Sequence, residues 1–378
     1  MPVTTTMLEQ AGAGYDPNPA RAHSLHADCY QNPAFAVLER TAIFHRSWQF
    51  LCHEESLREP GSYAATEIQG QSVFACRDGD GALRAFYNAC RHRGHELVKG
   101  TGRSDHIVCP YHAWVYRLDG RLERARRSET IEHFTASDIC LASVRVETFC
   151  HLVFLNLDPN ATSLAQISAG LGGKIRHYAP DLAHLTHAHR LTYNIQANWK
   201  TVIDNFLECY HCPVAHKDFC SLVEMDTYKV TTHGIYSSHM AKAGRSANNA
   251  YAVNDASVTD HAVWYLWPNT ALLRYPGRGN FMVWRFYPAG PEQTYEEFDF
   301  YLQDREPNGA EREAIRFIDE VLQPEDINLV ESVQRGMRTP GFERGRYLID
   351  PAGSGMSEHA VHHFHGLVLE AYKNASVS

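Results

Sequence analysis

The chain lacks any long hydrophobic run and any excess of positive charge. No apolar stretch in its 378 residues is long enough to span a bilayer. The start, Met1-Pro-Val-Thr-Thr-Thr-Met-Leu, has no apolar core of the kind a signal peptide needs. A membrane or secreted protein is therefore not expected, and a cytoplasmic location is. The formal net charge of −9 gives no basic footprint for nucleic acid. No Gly-rich loop opens a strand-to-helix turn in the dinucleotide-binding manner, no flavin motif is present, and no internal repeat or low-complexity tract is visible. The ten Cys, without a secretory signal, read as reduced thiols and not as a disulfide framework. With 44% apolar residues, the chain is long enough to bury two cores, so two domains are expected.

What is present begins with two paired segments, Cys90-x-His92 and Cys109-Pro-Tyr-His112, sixteen residues apart. Each offers one thiolate and one imidazole. Two such loops can close on one [2Fe–2S] cluster, both Cys on one iron and both His on the other. Neutral imidazoles in place of two thiolates reduce the negative charge on the cluster and raise its potential. The rival is a structural zinc site of two Cys and two His, although zinc modules usually open with Cys-x2–4-Cys. Cys29, Cys52, Cys76, Cys140, Cys150 and Cys220 show no ligand spacing and read as buried apolar fillers. Cys209 and Cys212 form a C-x2-C but interleave with the next motif, and read as packing residues.

That motif is Asn198-Trp-Lys-Thr-Val-Ile-Asp-Asn-Phe-Leu-Glu-Cys-Tyr-His-Cys-Pro-Val-Ala-His216. Non-haem iron(II) that activates O2 prefers two imidazoles and one carboxylate, with positions left open. His211 and His216, five apart, would not share a face of an unbroken helix. Pro213 predicts a helix that ends or bends between them and so swings His216 back. Glu208 stands one helical turn before His211. Asp319, Glu325, Asp326 and Glu331 are all carboxylates in a later helical region, and spacing alone does not choose among them.

Turn signals divide the chain. Residues 1–47 read as an N-terminal arm without clear period followed by a short helix, packing on the C-terminal domain. Residues 48–158 read as a small all-β domain. Within it Asp78-Gly-Asp-Gly81 and Asp119-Gly120 mark hairpins, and the Cys/His pairs fall on loops between strands. Residues 159–378 change texture: a strand at Leu191–Ile195, a helix from Trp199 to Tyr210, and strands at Ala262–Leu266, Ala271–Tyr275, Phe281–Tyr287 and Tyr295–Leu302. Glu311–Leu322 has helical periodicity stopped by Pro324, Asn328–Met337 forms a further helix, and Ser357 is placed to cap a last one. The fold class expected is α+β.

The flanks Asn88-Ala-Cys-Arg-His-Arg-Gly-His95 and Cys109-Pro-Tyr-His-Ala-Trp114 resemble the Rieske signature, and the whole chain resembles the oxygenase (α) subunit of Rieske non-haem iron oxygenases. The likeness is greatest to the quaternary-ammonium branch, which includes carnitine and betaine oxygenases. It is carried by Asn205-Phe-Leu-Glu-Cys-Tyr-His-Cys212, Pro324-Glu-Asp-Ile-Asn-Leu-Val-Glu-Ser-Val-Gln-Arg-Gly336 and Gly353-Ser-Gly-Met-Ser-Glu-His359, over about residues 30–372. The resemblance implies a Rieske [2Fe–2S] domain on Cys90, His92, Cys109 and His112, followed by a helix-grip catalytic domain. In the latter, a mononuclear Fe(2+) is held by His211, His216 and Asp326, with Glu325 as runner-up for the carboxylate. O2 is the co-substrate, and NAD(P)H contributes only through a separate flavin/iron–sulfur reductase.

The resemblance also implies a ring-shaped homotrimer, with Glu208 bridging a cluster His of one subunit to an iron His of the next for electron transfer. The reaction implied is hydroxylation next to nitrogen in a carnitine- or betaine-like substrate, with C–N cleavage. An aromatic-ring dioxygenase or O-demethylase is the alternative, though those relatives often carry Asp where this chain has Glu208. For a quaternary ammonium, Phe206, Trp264 and Tyr265 are the expected aromatic walls, and Arg274 a partner for a substrate carboxylate. Outside the enzymes, a Rieske electron carrier would lack the second domain, and a zinc-stabilised binding protein would be colourless.

Overall fold

The computed structural model describes residues 3–244, 249–251, 253, 260–276 and 280–375. Two compact units emerge, one of Met1–Ile43 with Ile167–Ser378 and the other of Phe44–Gln166. None of the helices among the described residues is long and apolar enough to cross a membrane.

The arm expected to lack regular structure forms helices α1 (Thr5–Gly12) and α2 (Asp28–Gln31), followed by α3 (Pro33–Ala42). Thr4 and Asn32 cap α1 and α3 by accepting hydrogen bonds from Met7 N and Ala34 N. The Thr4 cap sits in the polar, Thr-rich start, where no apolar period announces a helix.

Residues 44–166 are built of short antiparallel strands: β1 (Gln49–His53), β2 (Ser62–Ile68), β3 (Gln71–Arg77), β4 (Leu83–Tyr87), β5 (Thr101–Arg103), β6 (Ile107–Val108), β7 (Val115–Tyr116), β8 (Leu122–Arg124), β9 (Arg145–Phe149) and β10 (Leu152–Asn156), with helix α4 (Leu164–Ile167) at the end. They form sheets in the orders β1-β10-β9, β4-β3-β2-β5 and β6-β7-β8. Asp78 closes the β3–β4 hairpin by accepting from Asp80 N and Ala82 N. At the β7–β8 turn Gly120 has φ +90°, and a Cβ there would strike the Phe86 ring. Phe74, Phe86, Tyr116 and Leu122 fill the core beneath. The β4–β5 and β6–β7 connections carry the two Cys/His pairs.

The other unit is organised on a seven-stranded antiparallel sheet: β11 (Thr186–Ile195), β12 (Lys229–His233), β13 (Tyr236–Ala241), β14 (His261–Leu266), β15 (Thr270–Arg274), β16 (Phe281–Gly290) and β17 (Gln293–Leu302), in the order β11-β17-β16-β15-β14-β13-β12. Helices α5 (Leu171–Tyr178), α6 (Trp199–Phe206), α7 (Cys212–Ala215), α8 (Lys217–Leu222), α9 (Gly309–Phe317), α10 (Gln323–Met337) and α11 (His359–Ala375) complete this helix-grip arrangement. Pro324 does not stop a helix as expected. A π turn over Ile318–Leu322 joins α9 to α10, and Pro324 falls in the first turn of α10. There its missing N–H breaks no bond that the widened turn requires.

Helix α6 is anchored by a buried charge. Lys200, 0% exposed, donates from Nζ to Glu39 Oε1 on α3 at 2.6 Å, and Glu39 Oε2 accepts from Trp199 Nε1 at 2.8 Å. Tyr372 of α11 donates to the same carboxylate. Removing one member strands the other charge in the core. Glu39→Ala is expected to lower unfolding free energy by about 3–5 kcal/mol, read as an earlier denaturant midpoint at unchanged slope.

Candidate metal centres

In residues 44–166 two loops present ligand atoms toward one another. The first is closed by Cys90 N to His95 O (2.9 Å) and Gly94 N to Cys90 O (2.8 Å), the second by Cys109 N to Trp114 O (2.8 Å) and Ala113 N to Cys109 O (3.0 Å). Gly94 at φ +73° and Ala113 at φ +56° make these turns. The His92 and His112 rings meet edge to face at 4.7 Å, and His92 stacks on Trp114. Cys90 and Cys109 are buried, and Cys90 Sγ lies 3.2 Å from Tyr116 OH. Burial pushes the Cys109 thiol up, against the Tyr111 and His112 backbone N–H groups that favour a thiolate. His112 Nδ1 is buried without a hydrogen-bond partner. An orphaned imidazole nitrogen beside two buried thiols fits a cluster that these four side chains share.

The second centre is assembled from α7 and α10. Helix α6 ends at Phe206, so Glu208 and His211 are not on one helix as expected. A single-turn helix, α7, begins just past His211 with Pro213 in its first turn, and His216 follows its last residue. The two histidines thus bracket one turn, and both Nε2 atoms face inward, 3.1 Å apart. Asp326 Oδ1, from the first turn of α10, lies 2.9 Å from His216 Nε2 and 3.5 Å from His211 Nε2. One ligand atom from each of these three residues falls within 4.8 Å of the others. The outer nitrogens are held as well: Glu208 Oε1 is 2.5 Å from His211 Nδ1, and Glu325 Oε2 is 2.8 Å from His216 Nδ1. Glu325 therefore orients a histidine from behind, where Asp326 faces the open centre.

Burial pulls the His211 imidazole down, but the Asp326 and Glu208 carboxylates outweigh it and hold the pKa at about 10. His216 is raised in the same way, chiefly by Asp326 after burial. Burial pushes Asp326 up, yet the two imidazoles hold it below the usual carboxylate range. Without a cation the cluster retains protons that ordinary histidines would release, so the donor set fits a divalent metal in their place.

Against this centre lies a cavity of about 80 Å3. Phe206 lines it, together with Phe219, Tyr228, Tyr275 and Phe286. Trp264, Tyr265 and Arg274 do not, which corrects three expected substrate contacts. Strand residues alternate between faces: His261, Val263, Leu273 and Tyr275 line the cavity, whereas Trp264 packs on Tyr178 and Arg274 pairs with Asp181 at 3.3 Å on the other side. Tyr265 shares the parity of Val263 but lies further along the strand, packing on Phe364 and donating to Pro268 O. Glu296 also lines the cavity. Burial pushes its carboxyl well up, with Asp326 adding to the shift, and Gln323 donates to it. The reduced-thiol expectation fails at Cys209–Cys212, which are disulfide-bonded across a Cα separation of 4.9 Å in the bend between α6 and α7. Cys140, expected to be buried, is exposed.

The family model for the Ring hydroxylating alpha subunit (catalytic domain) matches residues 182–374, and that for the Rieske [2Fe-2S] domain matches residues 47–135. The chain belongs to the Rieske ring-hydroxylating oxygenase α subunits. It is 37% identical to the carnitine monooxygenase oxygenase subunit of Escherichia coli K12, over 94% of this chain and 96% of that one. It is 32% identical to the chloroplastic choline monooxygenase of Beta vulgaris, over 89% of this chain and 74% of that one. A crystal structure of a quaternary ammonium Rieske monooxygenase in complex with substrate L-carnitine superposes with a TM-score of 0.85 at 33% identity, covering 94% of this chain and 97% of that one. This Rieske oxygenase is accordingly an enzyme of [2Fe–2S] cluster, mononuclear iron and O2.

Because metal must displace the protons held at His211 and His216, divalent-metal affinity of iron-free protein should rise with pH, by about tenfold per unit for each proton displaced. The gain at His211 continues until about pH 10. Cobalt(II) titrations at pH 6, 7 and 8 measure it; affinity independent of pH would show that the ligands are already proton-free.

Proposed function

We propose that this chain is the oxygenase component of a two-component monooxygenase that hydroxylates a carbon next to nitrogen in a quaternary ammonium substrate. The observation that carries the reading is the cavity at His211, His216 and Asp326: aromatic rings wall it, and among the described residues no Lys or Arg lines it. Iron at His211, His216 and Asp326 supplies O2 activation, and a [2Fe–2S] cluster on Cys90, His92, Cys109 and His112 supplies electrons that a separate reductase delivers. Overall, O2, two electrons and two protons convert a C–H bond to C–OH and release water. The hemiaminal so formed breaks its C–N bond, giving an amine and a carbonyl compound.

The protein's own contribution is positional. Phe206 and Tyr275 line the cavity, and the face of such a ring attracts a cation by about 2 kcal/mol when desolvated. Asp326 adds negative charge on the same side. Glu208 and Glu325 fix both imidazoles from their outer nitrogens, so neither ring turns when a ligand enters. Glu208 is also reached from a separate cavity of about 320 Å3, which supports its role as the bridge to a cluster-bearing domain of a neighbouring subunit in a homotrimer.

Protein reconstituted with iron and a reductase, offered a panel of betaines, should release trimethylamine or formaldehyde. Consumption of a neutral arene and of no ammonium compound would favour the aromatic-ring dioxygenase alternative. Asp326→Ala should abolish oxygenation and leave the visible cluster spectrum unchanged. Cys109→Ala should lose that spectrum, and His112→Cys should keep a coloured cluster at lower potential, since a neutral ligand becomes anionic. Glu208→Gln should retain both metals but slow turnover by about 10–100-fold; normal turnover would remove it from the electron path. Phe206→Leu, which keeps an apolar wall without the π face, should weaken binding of a trimethylammonium substrate about tenfold, measured by calorimetry.

A further inference from the structure

The Cys209–Cys212 bond lies where a small movement matters most. His211 stands between the two cysteines in the chain, and Glu208 immediately precedes the first. One end of this bend is anchored to a distant segment, where Cys209 N donates to Gly355 O at 2.9 Å. Within the bend, Cys212 N donates to Cys209 O at 3.2 Å, and Glu208 Oε2 accepts from the Tyr210 and His211 backbone N–H groups. The disulfide ties the anchored end to Cys212, the first residue of α7. Both cysteines are buried but line the cavity beside the proposed metal ligands, and Tyr210 between them is exposed.

Global stability does not account for this bond. It joins residues three apart, and the shortest loops constrain an unfolded chain least. Its effect falls on the native bend instead. Two thiols cannot share the space of one S–S bond, because non-bonded heavy atoms need about 3.5 Å or more between them. Reduction therefore drives Cys209 and Cys212 apart, and Gly355 holds the first of them. The movement passes to Cys212 and to His211 beside it, whose Nε2 lies 3.1 Å from His216 Nε2 and 3.5 Å from Asp326 Oδ1. We propose that Cys209 and Cys212 form a thiol–disulfide switch on the mononuclear metal centre: the bonded pair holds His211 in place for metal, and the dithiol state loosens it. The inference rests on the reading of His211, His216 and Asp326 as metal ligands and adds a regulation of that centre. A dithiol reductant opens the bond by exchange, passing two electrons and two protons to Cys209 and Cys212 as its own thiols become a disulfide. The reverse exchange with a low-molecular-weight disulfide closes it.

The test uses protein that keeps its cluster and has been freed of mononuclear iron by a chelator. One portion is reduced anaerobically with dithiothreitol, another is treated with oxidised glutathione, and both are then cleared of reagent. Mass spectrometry after alkylation should find the segment holding Cys209 and Cys212 doubly alkylated only in the reduced portion. Cobalt(II) should bind the reduced portion about tenfold more weakly at the same pH, with the visible cluster spectrum unchanged, and reoxidation should restore the affinity. Cys209→Ala and Cys212→Ala should each show a single affinity that reductant does not move. Should one variant lose the cluster spectrum, the other decides the matter. Two alkylated cysteines after oxidised glutathione, equal affinity in the two states, or a reductant effect that persists in the variants would each overturn the switch and leave the metal centre standing. Binding of cobalt(II) in neither state would overturn the metal centre and the switch with it.

Discussion

Three electronegative atoms converge where no proton can satisfy all of them: His211 Nε2, His216 Nε2 and Asp326 Oδ1. In the metal-free site protons held on two imidazoles 3.1 Å apart repel one another across a single carboxylate, and much of this unit serves to keep the groups there. One helical turn sets the imidazoles at its two ends. The π turn leads directly into α10, whose first turn brings Asp326 Oδ1 to 2.9 Å from His216 Nε2. The buried Glu39–Lys200 pair fixes α6, from which the histidine segment departs. A divalent cation relieves the convergence, so the arrangement is poised for metal by its own electrostatics.

The two metal centres differ in how much of them the sequence displays. The Cys90/His92 and Cys109/His112 pairs sit in tight loops, where local spacing is nearly the whole geometry, and reading the spacing comes close to reading the site. The histidine pair is legible for a related reason, since Pro213 announces that the chain turns between them. Asp326 is different. Four carboxylates compete in that stretch, and what singles out Asp326 is that it is the one brought against both histidines, a tertiary contact that no hydrophobic period reveals. Glu208 meets His211 as expected, but through a chain reversal after α6 and not through a helix face. Its Oε2 accepts from the Tyr210 and His211 backbone N–H groups, a local turn that a helical reading conceals.

The cavity wall is the least legible part, and the reason is strand parity. Trp264, Tyr265 and Arg274 have the right side chains for a zwitterion, but composition does not say which face of a buried sheet a residue takes. Both faces of β14 and β15 are buried, with every residue of each strand out of solvent. The alternation of polar and apolar residues that normally betrays the inner face is therefore missing. A one-residue error in parity exchanges Arg274 for Leu273 and Tyr275, turning an expected ion-pairing site into an aromatic one. Strands β12 and β13 are hidden for a similar reason: runs such as Thr231-Thr-His233 and Ser237-Ser-His239 carry little apolar signal, though β13 is almost wholly buried.

That parity has a chemical consequence. A guanidinium in the cavity would repel both a metal dication and a quaternary ammonium, and turning Arg274 to Asp181 on the far face removes that repulsion. What remains is graded by charge: Asp326 is held ionised at the metal side, Glu296 is pushed toward its neutral acid by burial and by Asp326, and His261 is held neutral. Attraction for a cation in such a wall rests on aromatic rings and on Asp326 alone, so it is modest. In such a wall, polar recognition falls to uncharged groups. Neutral donors discriminate by whether their hydrogen bonds are made or left empty, a sharper criterion than long-range charge.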